Sequence, residues 1–190
     1  MNCLRVVCLA ATLLALPAGA ETLRLATFNA DLTREGPGLL LQDLRRGTSK
    51  QIAAVVEVIA ATSPDVLLLT GIDWDHDLLA LRALEARLAA AGAGYGHLFA
   101  LRPNSGMPTG LDLNADGRFG GPRDAQGYGR FSGEGGMALL SRLPIVTAEV
   151  RDFTAFLWRD LPDALLDGAQ LSPEALALQR LSTTGHWDVP

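Results

Sequence analysis

Gly136-Met137-Ala138-Leu139-Leu140-Ser141-Arg142-Leu143-Pro144-Ile145 is the stretch from which the rest of the chain can be placed. A glycine opens a short apolar run that closes on Ser-Arg-x-Pro-Ile. This reads as a buried strand delivered into a turn, because Pro144 has no N–H to give a ladder. Two upstream stretches have the same character. Residues 22–30 alternate as a strand, with Leu23, Leu25 and Thr27 on one face. Residues 66–70 (Val-Leu-Leu-Leu-Thr) form a continuous apolar run, which predicts a strand covered on both faces.

Helical patterns separate these strands. Thr48-Ser49-Lys50-Gln51 has the spelling of a capping box, and Ile52, Val55, Val56 and Ile59 follow as a core-facing stripe. That helix stops at Ser63-Pro64, since the residue before proline avoids helical angles. Asp77 is placed to cap a second helix bearing Leu81, Leu84 and Leu88, with Gly92 as its stop. Residues 96–101 read as a further strand. The alternation of strand and helix predicts a layered α/β domain. Residues 102–136 break the pattern: they are rich in Gly, Pro, Asp and Asn and carry no periodicity, the mark of a functional or disordered loop. Beyond the quoted cassette, a strand is expected over 146–153, an irregular connection over 160–170, a short helix opened by Ser172-Pro173-Glu174, and a last strand within 181–189.

The first 20 residues have the three parts of an export signal: Arg5, an apolar run over 6–16, and Ala18-Gly19-Ala20 as a cleavage site. That run is shorter than the ~20 residues a bilayer requires, so no stable membrane anchor is expected once the leader is cleaved. The expected location is periplasmic or secreted. Both cysteines, Cys3 and Cys8, lie in the leader, so residues 21–190 hold no disulfide and no thiolate metal site. Residues 21–190 carry 15 basic against 21 acidic side chains. That balance argues against coating nucleic acid through a broad basic face, but leaves room for an enzyme that grips a single phosphate.

Thr27-Phe28-Asn29, the strand at 66–70 with Thr70-Gly71 behind it, and the 136–145 cassette stand in an order and spacing that resemble the opening half of the endonuclease/exonuclease/phosphatase superfamily. These are the DNase I-like metal-dependent phosphoesterases, and the likeness covers about residues 22–150. The resemblance implies a four-layer α/β sandwich, with two mixed sheets packed face to face and helices outside. Residues 21–190 are expected to form an incomplete, apparently truncated domain of this kind, with 102–136 as an insertion. It also implies hydrolysis of a phosphate ester, small molecule or nucleic acid, helped by a divalent metal, Mg²⁺ first and Mn²⁺ second. The family's second asparagine, its aspartate partner and its terminal Ser-Asp-His have no counterpart in the sequence, so the chain alone is expected to be inactive.

By the same resemblance Asn29 takes the role of the asparagine that meets the phosphate or orders the metal. A side-chain amide offers one donor group and one acceptor, at the strand edge where open α/β sheets place ligands. The family's metal-binding Glu would stand at position 71, where this chain has glycine. Asp73, two residues on, is the first candidate to supply the missing oxygen, with Asp75 or Asp77 as others; a solvated loop is the alternative for all three. Asp112-Leu113-Asn114-Ala115-Asp116-Gly117 has donors at positions 1, 3 and 5 of a calcium loop, without the usual Glu at position 12. It is read either as a structural Ca²⁺ loop around Asp112, Asn114 and Asp116 or as a self-bonded turn. Near the C-terminus, His186 and Asp188 alternate to one face of the expected strand, and Arg180 has the fork geometry to meet a phosphate. His186 is read as a site-lining candidate or as a satisfied strand histidine. Glu134 is read as an exposed loop carboxylate. Two functions follow: a metal-dependent phosphoesterase, or a non-catalytic calcium-binding module that kept the fold and lost the metal Glu.

Overall fold

The computed structural model describes residues 22–166, 168–169 and 171–190. The proposed leader therefore lies outside the described residues. Six strands and four α-helices follow in chain order: β1 (Leu25–Leu32), α1 (Leu39–Arg46), α2 (Lys50–Thr62), β2 (Val66–Ile72), α3 (Leu79–Ala90), β3 (His97–Phe99), β4 (Gly136–Ser141), β5 (Arg151–Asp152), α4 (Pro173–Leu178) and β6 (Trp187–Asp188). The main sheet has the order β1-β2-β4-β3. β1 runs parallel to β2, and β4 is antiparallel to both of its neighbours. This mixed sheet with helices laid on it is the α/β layering expected from the sequence.

One face of that sheet carries the core. Ala30 and Leu32 of β1, Leu67, Leu69 and Ile72 of β2, and Ala138 and Leu140 of β4 pack against Leu40 and Leu44 of α1, Ile52, Val55 and Ile59 of α2, and Leu81, Leu84 and Leu88 of α3. Many of these leucines are wholly excluded from water, so each Leu→Ala change is expected to cost about 2–5 kcal/mol. The opposite face is covered only in part. Leu25 is 68% exposed, while Val66, Leu68, Met137 and Leu139 border an apolar groove closed on one side by Trp187 and Val189. The expectation that β2 is covered on both faces is corrected: Leu67 and Leu69 are buried, whereas Val66 and Leu68 are half-buried.

Local details also depart from the expected ones. Ser49, not Thr48, caps α2 by accepting from Ile52 N at 3.3 Å. Gln51 reaches away to donate to the Asp31 carbonyl at 2.5 Å. α1, unforeseen, begins directly behind Gly38 and contributes Leu40 and Leu44, one turn apart, to the core. The strand expected over 146–153 is a 3-10 turn followed by the two-residue β5. The last strand shrinks to β6, which pairs with β5 as a separate ribbon. The short helix behind Ser172 forms as expected, with Ser172 Oγ accepting from Ala175 N at 3.2 Å.

Candidate functional site

The parallel strands β1 and β2 end side by side, and ligands of open α/β sheets sit outside such carboxyl ends. Asn29 pairs with Thr70 in the ladder, and the register then breaks: the next partners are Leu32 and Ile72. On the other side of β2 the pairing jumps from Thr70–Met137 to Ile72–Gly136, which leaves Gly71 as a bulged residue. Bulges of this kind turn side chains at a strand's end. Gly71 sits at φ +65°, the left-handed region, and a Cβ there would stand 2.5 Å from Asn29 Oδ1. The exposed Asn29 amide thus lies over the glycine, and its Oδ1 accepts from Asp31 N at 3.3 Å.

Asp73 follows on the same strand end but is buried. Its Oδ2 accepts from Arg34 N at 2.8 Å and its Oδ1 from Gly135 N at 3.1 Å. One carboxylate therefore ties the β1–α1 connection and the approach to β4 to the end of β2. Burial pushes its pKa above the ordinary value, the two N–H groups pull it partly back, and nearby Glu134 adds to the rise. Glu134 is not the exposed loop acid expected from the sequence. It is buried, and Arg130 donates to it through Nη2 at 2.6 Å and Nε at 2.9 Å. Burial alone would raise the Glu134 pKa, but the Arg130 contacts outweigh it and hold it below its usual value.

The other candidates are scattered and occupied. Asp75 caps α3, accepting from Leu79 N at 2.6 Å and Ala80 N at 2.8 Å, the role expected of Asp77. Asp77 instead meets the neighbouring His76 ring at the surface. The Asp112 carboxylate accepts from Asp116 N and Gly117 N, the Asn114 amide donates to Asp116, and Asp116 also accepts from Arg118 N. The loop is thus closed on its own side chains, as in the turn alternative. Arg180 donates to Asn104 Oδ1 at 2.6 Å inside the molecule. His186 is exposed and lies against Phe153 with the rings tilted at 50° and their centroids 5.5 Å apart, while Asp188 is paired with Arg151. His186 and Asp188 thus have different partners, and neither contacts Asn29.

Over residues 26–188 the chain matches the family model described as Endonuclease/Exonuclease/phosphatase family. The chain belongs to that family. No curated protein and no solved structure matches it. Endonuclease/exonuclease/phosphatase members are in general hydrolases of phosphoester bonds and typically use divalent metals. The donor set at this rim does not fit such a metal. Position 71 has no side chain, Asp73 is committed to two backbone donors, and among the described residues no three His, Cys, Asp or Glu side chains gather as a metal group.

Sequence reasoning missed Arg34, Arg130 and Asn104. Asn104 is fully buried and its amide donates to the carbonyls of Thr154 and Ser182 at 2.7 and 2.6 Å. Its only sequence signal was polarity inside a segment without periodicity.

Proposed function

We propose that this family member is an exported protein of phosphoester hydrolysis, in which residues 22–190 supply the phosphate-facing rim and not the metal-binding and water-activating groups. Export rests on the leader pattern of residues 1–20. Asn29 is the lead group: its amide can donate to a non-bridging phosphate oxygen from the carboxyl edge of β1. The net acidic charge favours a small phosphate ester over nucleic acid. The observation that carries this reading is the family match combined with the Asn29–Gly71 contact, in which an exposed strand-end amide stands beside a position with no carboxylate.

The purified chain is tested with bis(p-nitrophenyl) phosphate and with phenyl phosphate. No release of nitrophenol above the buffer blank is expected with Mg²⁺ or Mn²⁺. Phenyl phosphate is expected to shift the Asn29 amide resonances, and Asn29→Ala to abolish its binding. Metal-dependent release that a chelator stops would overturn the inactive-rim reading.

Gly71 specifically favours a second reading, a binding module of the same fold that does no chemistry. Phenyl phosphate binding that persists when the chain is supplied with every partner from its own source, still without turnover, would select it.

A further inference from the structure

We propose that the cleft between the 102–136 segment and residues 183–184 is a binding site for a neutral, polyhydroxylated ligand such as a sugar. Thr33, Ser105, Tyr128, Glu134, Thr183 and Thr184 line this cleft of about 350 Å³. That volume falls within the ~300–1,000 Å³ typical of small-molecule sites.

The walls are built, not loose. Asn104 N donates to Thr184 O at 2.8 Å, Gly106 N to Gly127 O at 2.9 Å, and Ser105 Oγ to Glu134 O at 2.5 Å. Position 127 lies so close to the Thr183 carbonyl that a Cβ would run into it, which makes glycine the residue that lets the two walls meet. A preformed cleft loses little freedom when it binds.

Its chemistry points to an uncharged ligand. No Lys, Arg or His is among the lining residues, and the one carboxylate, Glu134, is already neutralised by Arg130. Among the described residues an anion would find no free cation there. The hydroxyls of Thr33, Tyr128, Thr183 and Thr184 make no hydrogen bond to another described residue, and each can both donate and accept. Tyr128 is 66% exposed, and its ring is a flat apolar surface suited to the C–H face of a sugar ring. Alternating hydroxyls over such faces are what a saccharide offers and a nucleobase does not. Thr33 stands four residues beyond Asn29, at most ~13 Å along an extended chain. One ligand can therefore span cleft and rim, although binding in the cleft does not depend on the phosphoesterase reading.

Saturation-transfer NMR on the purified chain tests this with maltose, N,N′-diacetylchitobiose, glucose and glucose 6-phosphate as probes. Transfer to the ring protons of at least one neutral probe is expected. Tyr128→Ala and Thr183→Val, both at exposed side chains, are each expected to weaken it about tenfold, the equivalent of one lost aromatic or hydrogen-bond contact. Asp77→Ala, at the surface beside His76, is the control and leaves binding unchanged. Three results each overturn the proposal: no transfer to any neutral probe, transfer unaltered in both cleft variants, or tighter binding of glucose 6-phosphate than of glucose that persists in Asn29→Ala. Since no bond is cleaved, these outcomes are separate from any result on hydrolysis.

Discussion

The Asn29 amide and Gly71 occupy one another's space: the amide oxygen lies where a side chain at position 71 would have to begin, 2.5 Å from its Cβ. The conflict has a soft part and a hard part. Asn29 can rotate away at low cost, but the φ of +65° at position 71 cannot be made comfortable for an L-residue. A carboxylate side chain at position 71 is therefore opposed by the backbone as well as by the Asn29 amide.

Gly71→Glu is expected to lower stability by about 1–2 kcal/mol, the cost of a side chain in the left-handed region. It is also expected to displace Asn29 without creating Mg²⁺ binding, because Asp73 remains held by Arg34 N and Gly135 N. Urea unfolding and isothermal titration with Mg²⁺ check both halves. In the Asn29→Ala background Gly71→Ala should cost less than alone, since the two residues compete for the same volume.

Asp73 gives the fold a pH dependence. Its carboxyl titrates above the ordinary value of 3.8, so between the two pKa values the native state keeps a proton that the unfolded chain has released. Its contribution is most favourable below the ordinary value and declines as pH rises through the raised one. Glu134 acts oppositely: held below 4.5 by Arg130, it contributes stability above that value and loses it as pH falls through the lowered one. The difference in urea midpoint between wild type and Asp73→Asn should therefore shift against the wild type as pH rises from ~4 to ~7. A difference that moves in the wild type's favour over that range would show that its two N–H partners outweigh burial.

The sequence was legible where period and burial agree. The stripe of α2, the leucines of α3 and the apolar runs of β2 and β4 could be placed because each buries one continuous surface. β1 shows the limit: Leu23 and Leu25 are more apolar than Ala26 and Ala30, yet it is the even-numbered residues that face the helices. Alternation finds the strand but does not say which face the helices will cover. α1 was hidden by Gly36-Pro37-Gly38, which reads as a break and serves as its entry. At the rim, spacing located Asn29 and Gly71. It did not assign Asp73 to a clasp, Asp75 to a cap or Glu134 to Arg130, since their partners are set by the three-dimensional fold.

Asn104 holds the long segment to the C-terminal part of the chain through two carbonyls and Arg180. Asn104→Ala strands buried acceptors, each costing about 1–3 kcal/mol, so a total loss of about 3 kcal/mol is expected. Hydrogen exchange should show the faster opening confined to residues near 104–106, 154 and 182–184, with α2 and β2 unaffected until global unfolding.

The partly covered sheet face predicts association. Leu23 and Leu25 are half to two-thirds exposed, and Leu25 pairs with Val66, which lines the groove together with Leu68, Met137 and Leu139. Among the described residues β1 is also an edge strand, paired in the sheet with β2 alone. Apolar faces and open edges both drive contact between chains. Light scattering on the purified chain is expected to show dimers or larger species. Leu25→Lys should shift the population toward monomer, because it places a charge on the face and on the edge at once. The substitution removes little core packing, so its unfolding midpoint should stay within about 0.5 kcal/mol of wild type. A wild-type chain that stays monomeric at high concentration would mean that Trp187 and Val189 already shield enough of this face to keep it apart from its copies.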